Sequence, residues 1–548
     1  MAPWRHFAVQ MYGSEISGGI WIYTNMPAQT ELASPSFRKA CLIRKSPLVI
    51  KGVPMRNNLN SWIQKLLSKE FLSYLILCTI LACGFALRIY RVGEDSLWYD
   101  EVGQVEAALQ PLVTDMLRVV QSHAGAMPLD YFVTRLMIIF GLHEGVIRFP
   151  SVLWGTLSIF IYYLLITQLD LPYKKQTALL SAFLIALSPV HIQYSQEARF
   201  YAALMFFYVL GVFFLIKAAS SKEAKYWNAY LVSSIVGAYF HPYLLFTTIA
   251  GFFIVVYQHI RSGTGWKENI VRRFTPYMVC SLLIMLAFLP GYFFFHTQDV
   301  YTYDFGLAPD SILYGLGLKA TLSSASIPPF GTWHMTMTIG SLAGMAFMFK
   351  HLARYALVFL LLVAVVIQIV LIMLLDYWNG YPFIPRQIIH FAPFVYLVFS
   401  IGFVEAVSTL KNHFVRNAVT AILLAGLVFT ALPYIKLVYD HSKGGTREIS
   451  QKIVDHYQPG FEVVTIQAQH ETVLRFYLSQ LVGEKEASLM TKSFDNLKDI
   501  KNYIQNNSAV RFVYLPRNTD ADARKEIADL GFKLFRISED TDFLFIRK

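Results

Sequence analysis

Long runs of apolar residues, separated by short polar segments, dominate the chain. One run extends from Phe71 to Tyr90 and another from Tyr355 to Leu375. A helix needs roughly 20 apolar residues to cross a hydrocarbon core of ~30 Å, whereas membrane β-barrels use alternating strands of about 10 residues. The runs therefore predict transmembrane α-helices.

The distribution of cations between these runs predicts the topology. The run from Leu129 to Leu142 is short and carries Asp130 and Arg135, which favours a re-entrant or interfacial helix. If it does not cross, loops rich in Lys and Arg all fall on the side of the N-terminus, which the positive-inside rule places in the cytoplasm. We predict about eleven spans and an outer C-terminus, with spans at 71–90, 150–168, 176–194, 200–216, 227–240, 243–258, 275–295, 336–349, 355–375, 388–407 and 417–436.

Composition agrees with this all-α polytopic membrane domain. Hydrophobic residues make up 55% of the 548 residues and charged residues 15%, a balance too apolar for an ordinary soluble protein. The net charge of +11 lies mainly in the predicted cytoplasmic loops, so it does not indicate nucleic-acid binding. We expect an integral protein of the plasma (inner) membrane.

Three parts are predicted. Residues 1–70 form a cytoplasmic N-terminal tail, in which Met55 is an alternative start of translation, and residues 71–440 form the transmembrane domain. Residues 441–548 have the composition of a soluble protein, with short β-type and helical stretches in alternation. They predict a small α/β domain outside the membrane.

Ionisable residues gather where the predicted helices reach the outer face. Asp100 and Glu101 follow the first span, and paired carboxylates there can deprotonate a nucleophile; the alternative is a solvated acidic turn. Glu197 and Arg199 follow the span 176–194, either as site residues or as an interfacial anchor pair.

Two further groups lie at the same predicted face. His241 occupies a tight turn between spans, and Arg386 precedes His390 by four residues. The forked donors of an arginine suit a phosphate, whereas a lone histidine is more often an ordinary interfacial residue. The four groups gain weight because one topology places them on one face.

The motifs of these groups resemble those of GT-C fold integral membrane glycosyltransferases. The branch is that of the dolichyl-phosphate-mannose protein mannosyltransferases and the bacterial aminoarabinose transferase acting on lipid A. The resemblance extends from about Phe71 to Pro433. It rests on SLWYDE (96–101), MPLDYF (127–132), RFPS (148–151), YSQEARFY (194–201), the His241-Pro242 turn and Pro385-Arg386, with RFYL (475–478) in the C-terminal region.

The resemblance implies a sugar transfer from a polyprenyl-phosphate donor, undecaprenyl or dolichyl, to a glycan, lipid or protein acceptor. It assigns the catalytic base to Asp100, with Glu101 beside it, in a single displacement that inverts the sugar. The substrate-binding residues it suggests are Glu197, Arg199, Tyr201, His241, Arg386 and Arg148.

The sequence departs from this family at residues 124–129, which read AGAMPL where many relatives have two prolines after His, Glu or Lys. A lipid-phosphate or metal contact made there cannot be carried over, and His123 is a substitute to consider. We therefore expect no required metal and no other cofactor. The segment from His296 to His334 is expected to act as a lid over the site, and the C-terminal domain to help select the acceptor.

Other functions remain open at this stage. A secondary transporter would also have many helices with buried charges, but it should show repeated halves and ionisable groups near the membrane midplane. A different lipid-carrier enzyme, such as an oligosaccharide ligase, would share the outer-face residues. The sequence identifies neither the sugar nor the acceptor.

Overall fold

A computed structural model gives the structure of the protein. It describes residues 69–123, 126–221, 223–263, 265–295, 312–313, 315–318, 332–378, 384–440, 445–516, 519–535 and 542–547. Residues 1–68 of the predicted tail, including Met55, most of the predicted lid and residues 124–125 of the divergent motif lie outside these residues.

The membrane domain is built of apolar helices, as predicted. Its helices are α1 (Lys69–Ile89), α2 (Tyr99–Ala108), α3 (Val113–Gln121), α4 (Pro128–Ile138), α5 (Glu144–Gln168), α6 (Lys174–Leu187), α7 (Pro189–Ser195), α8 (Tyr201–Ser220), α9 (Ala224–Ala238), α10 (Thr247–Ser262), α11 (Trp266–Asn269), α12 (Thr275–Phe295), α13 (Thr332–Lys350), α14 (Ala356–Trp378), α15 (Ala392–Ser408) and α16 (His413–Asp440). Within the described residues, 8 helices are long and apolar enough to cross a membrane, or up to 9 if a bent pair counts as one span. The total of about eleven spans stays a prediction.

The predicted span 176–194 is broken, and its treatment as a single helix was wrong. Helices α6 and α7 meet at an angle of 61°, because Pro189 cannot donate a backbone hydrogen bond and Ser188 caps the second helix by accepting from the backbone N–H of His191. Arg88 donates to the carbonyls of Ile185 and Ala186 at the end of α6. The buried break is therefore satisfied by side chains.

Three short helices occupy the segment between the first two long ones. Helix α4 lies within the run predicted to be a re-entrant or interfacial helix, and at 11 residues it is too short to be among the candidate spans. Helices α2 and α3 were not predicted, since their apolar residues form no long run. The acidic motif therefore lies in the first turn of a helix, not in a solvated turn.

The C-terminal region is an α/β domain, as predicted. It contains α17 (Thr446–Asp455), β1 (Glu462–Ile466), α18 (Ala468–Val482), α19 (Glu484–Met490), β2 (Thr491–Phe494), α20 (Leu497–Asn506), β3 (Val510–Leu515), α21 (Ala521–Asp529), β4 (Phe532–Phe535) and β5 (Phe543–Arg547). The sheet order is β2-β1-β3-β5-β4. Strands β1, β2 and β3 are parallel, and β5 is antiparallel to both β3 and β4.

Each face of this sheet has an apolar cluster. Helices α17, α18 and α19 cover one face around Val463 and Phe512, while α20 and α21 cover the other around Val464 and Val513. The alternation of faces along β1 and β3 follows from the two-residue period of a strand. Burial on both faces explains why these strands have consecutive apolar residues, Val463-Val464 in β1 and Phe512-Val513 in β3.

Candidate active site

The site is organised around the start of α2, which follows an irregular loop at residues 92–98. Trp98 is the N-cap residue directly before the helix, and its backbone N–H donates to the Glu101 carboxylate at 3.2 Å. This contact fixes the first turn, in which Asp100 is the second residue. Neighbouring residues of a helix point about 100° apart, so Asp100 and Glu101 face different surroundings.

Asp100 faces Arg386, 286 residues away in the sequence. Arg386 Nη2 lies 3.1 Å from Asp100 Oδ2, and the two side chains are 23% and 22% exposed. Arg386 belongs to a 3₁₀ turn, Pro385–Phe391, that leads into α15. Its guanidinium carbon lies over the rings of Trp98 at 5.2 Å and Tyr201 at 5.5 Å, so aromatic faces hold the cation on two sides.

Arg199 approaches Asp100 from a second direction, just before α8. Its Nη1 donates to the Asp100 carbonyl at 3.4 Å and to Gln104 Oε1 at 3.2 Å. Its Nε is buried and has no hydrogen-bond partner among the described residues. A buried guanidinium with a donor to spare is suited to an anionic ligand.

Glu101 and Arg148 form a separate buried pair behind the helix. Arg148 Nε and Nη2 donate to the two Glu101 oxygens at 2.8 and 2.7 Å, and the side chains are 0% and 2% exposed for Glu101 and Arg148. Glu101 also accepts from the backbone N–H of Ala198 at 2.7 Å. This geometry gives the pair a part in positioning α2, whereas Asp100 and Arg386 remain partly open.

The other predicted residues lie around this centre. Glu197 is buried and interacts electrostatically with Tyr201 and Arg386. His241 packs its ring 4.4 Å from that of Phe200 and accepts from the backbone N–H of Tyr243. His390 is fully buried against the ring of Tyr208, at 4.9 Å.

Three further polar residues complete the surroundings: His123, which the sequence named only as a substitute contact, Asp130, which it placed only within a family motif, and Gln104, which it did not single out. Gln104 links Arg199 to Thr134, since its Nε2 donates to Thr134 Oγ1 at 2.7 Å. Asp130 is buried near Arg199, and this burial raises its carboxyl pKa to about 6, opposed by the charge of Arg199. Burial, helped by the charge of Arg199, lowers the pKa of His123. The i,i+4 spacing of Asp100 and Gln104 is a sequence signal that could have pointed to Gln104.

Within the described part of the chain, no group of three or more His, Cys, Asp and Glu side chains could hold a metal ion. The chemistry that these residues offer is a carboxylate paired with the Arg386 guanidinium, with the Arg199 guanidinium bonded to the backbone carbonyl of the same aspartate. Such a set can accept a proton and bind an anion side by side.

Comparison with known proteins gives a family for part of the chain. Residues 125–294 match the family described as dolichyl-phosphate-mannose-protein mannosyltransferase. No protein with a curated description matches the chain by sequence.

Solved structures give the fold. The apo oligosaccharyltransferase of Archaeoglobus fulgidus superposes with a TM-score of 0.52 at 10% identity, covering 88% of this chain and 75% of that one. The chain has the GT-C fold. Apo ArnT from Cupriavidus metallidurans superposes less closely, with a TM-score of 0.49 at 13% identity over 89% of this chain and 98% of that one.

The family match covers only part of the site that the GT-C fold assembles. Arg148, Glu197, Arg199 and His241 lie within residues 125–294, whereas Asp100 and Arg386 lie outside that segment. Together, the partial match and the GT-C fold support a membrane glycosyltransferase.

Proposed function

We propose that the protein transfers a sugar from a polyprenyl-phosphate carrier to a hydroxyl or amine acceptor on the extracytoplasmic side of the membrane, with Asp100 as the catalytic base. The observation that carries this proposal is the convergence of Asp100 with Arg386 and Arg199, which come from three distant parts of the chain. The family match to dolichyl-phosphate-mannose-protein mannosyltransferases supports the donor class.

The ion pair between Asp100 and Arg386 suggests how donor binding prepares the site for reaction. An incoming phosphate would compete with Asp100 for the Arg386 guanidinium, whose forked donors match two phosphate oxygens. The Asp100 carboxylate would then be released from Arg386 and available to the acceptor hydroxyl or amine. Donor binding would thus activate the base.

The reaction is then a single displacement. Asp100 accepts the proton of the acceptor hydroxyl or amine as that atom forms a bond to the anomeric carbon of the sugar. The bond from this carbon to the phosphate oxygen breaks, and its electron pair leaves with the polyprenyl phosphate. Arg386 and Arg199 stabilise the charge that develops on the phosphate, and the attack from the opposite side inverts the anomeric carbon.

The test compares Asp100→Asn with Asp115→Asn in membranes supplied with a radiolabelled polyprenyl-phosphate sugar. Asp115 is the matched control, because it lies in the neighbouring helix α3 and pairs with exposed Arg118 at 2.9 Å. We expect Asp100→Asn to lower transfer by about 10²- to 10⁴-fold, the usual contribution of a general base. Asp115→Asn should transfer label like the native chain.

Two outcomes contradict the proposal. Equal transfer by the native chain and Asp100→Asn would remove this residue from the chemistry. Uptake of a solute into sealed vesicles, without any transfer of label, would favour a transporter instead.

A further inference from the structure

The loop that carries Asp100 into position has no regular secondary structure, so its backbone groups need partners from elsewhere. Arg148 supplies three of them from the membrane domain. It donates to the carbonyl of Val92 at 3.0 Å, of Asp95 at 2.8 Å and of Ser96 at 2.9 Å. The membrane domain thus holds one side of the loop.

The C-terminal domain holds the other side. Tyr477 of α18 accepts a hydrogen bond from the Leu97 N–H at 2.6 Å and donates to Glu144 Oε1 at 3.0 Å. The Tyr477 hydroxyl of the C-terminal domain therefore connects Leu97 in the loop to Glu144, the first residue of α5 in the membrane domain. The Leu97 N–H lies only three residues before Asp100.

Arg447, just inside α17, makes a second set of contacts. Its backbone N–H donates to Ser96 Oγ at 3.0 Å, and its Nη2 donates to the Glu94 carbonyl at 2.8 Å. Its Nη1 lies 2.7 Å from Glu144 Oε2. Glu144 is thus shared between Arg447 and Tyr477, and it is 4% exposed.

Apolar packing reinforces these polar contacts. Leu97, Val102 and Val105 from the loop and α2 share a buried cluster with residues of α18, namely Val473, Phe476 and Tyr477. The cluster packs the C-terminal domain against the helix whose first turn contains the candidate base. Burial of this apolar surface favours a fixed arrangement of the two.

We propose that Tyr477, Arg447 and Glu144 are positioning residues for transfer, through which the C-terminal domain fixes the loop 92–98 and so the placement of Asp100 against the donor. This inference rests on the proposed role of Asp100 as the base. It gives the C-terminal domain a part in the chemical step that is separate from any part in acceptor choice. A small displacement of a base can cost about 10²-fold in rate.

The test is Tyr477→Phe in the full-length protein, since phenylalanine keeps the ring in the apolar cluster and removes only the hydroxyl. The matched control is Tyr457→Phe, because the Tyr457 hydroxyl also bonds a carboxylate, that of Glu486, but within the C-terminal domain alone. Both variants should run as folded monodisperse protein in detergent. The rate constant kcat and the KM for a radiolabelled polyprenyl-phosphate sugar are then measured.

We expect Tyr477→Phe to lower kcat by about 10- to 100-fold with KM for the donor within twofold of native, because the arginines that bind the phosphate are untouched. Tyr457→Phe should leave both constants unchanged. Glu144→Gln, which keeps an acceptor for Tyr477 but loses the charge facing Arg447, should give an intermediate kcat.

Two results would overturn the inference. They are a native kcat in Tyr477→Phe, and an equal loss in both tyrosine variants, which would reflect general destabilisation of the domain. The inference fails alone if Asp100→Asn is inactive while Tyr477→Phe is normal. An active Asp100→Asn would instead remove the proposed base.

Discussion

The buried pair of Arg148 and Glu101 offers the most quantitative prediction. Arg148→Met keeps much of the apolar stem but leaves the Glu101 carboxylate, 0% exposed, without its cation. Orphaning one partner of a buried pair costs about 3–5 kcal/mol. The carbonyls of Val92, Asp95 and Ser96 lose a donor as well, each at about 1–3 kcal/mol if no water replaces it.

We therefore expect the free energy of unfolding to fall by at least about 4 kcal/mol, which corresponds to roughly a 10³-fold change in the equilibrium constant. The assay is thermal unfolding of purified protein in detergent. Arg118→Met is the control, since Arg118 is 74% exposed in its pair with Asp115 and such a surface pair contributes under about 1 kcal/mol.

The double variant Arg148→Met with Glu101→Gln separates the buried charge from the other lost contacts. Glutamine removes the orphaned charge and can still accept from the Ala198 N–H, so the double variant should be more stable than Arg148→Met alone, with a coupling of about 1–3 kcal/mol. If Arg148→Met unfolds at the temperature of the Arg118→Met control, or if the two single effects simply add, the reasoning is refuted.

Two more predictions concern buried positions. Because burial raises the pKa of Asp130 to about 6 from 3.8, the folded state disfavours its ionised form; stability should fall by about 3 kcal/mol as pH rises from about 4 to about 6. Thermal melts of Asp130→Asn should lack this decline, and the same dependence of melting temperature on pH in the native protein and in Asp130→Asn would contradict the prediction. In Gly155→Ala, the added Cβ would clash with the Ser195 hydroxyl, so we expect a loss of about 1–3 kcal/mol. Ser195→Ala should restore part of it in the same melts, and a native melting temperature in Gly155→Ala would show that the site can relax.

Some of the architecture could be read from the sequence because it depends on local pattern. Long apolar runs must be helices in lipid, since no water is present to satisfy the backbone. The C-terminal region was predicted to be α/β from its alternating β-type and helical stretches, and strands there pair into one sheet, because such periods of apolar residues are local features of a sequence. The grouping of polar motifs at one end of the helices followed from the charge of the loops.

The short helices and the break in the predicted span 176–194 were harder to predict. Helix α3 has apolar residues at helical spacing, at Val113, Met116, Leu117 and Val120, which a search for long apolar runs does not detect. Ser188 and Pro189 are common cap and first-turn residues. Only the surrounding groups, such as Arg88 with the carbonyls of α6, decide that a sharp bend can be buried there.

The sequence by itself determined that this is a helical membrane protein with acidic and basic motifs at one end of its helices. The different surroundings of Asp100 and Glu101 were decided by the tertiary structure alone. Both are carboxylates in one helical turn, and they differ only in what packs against them: Arg148 buries Glu101, whereas Asp100 meets Arg386 at an open edge. Partners 47 and 286 residues away leave no local signal in the chain, because contacts at such separations depend on how the helices pack.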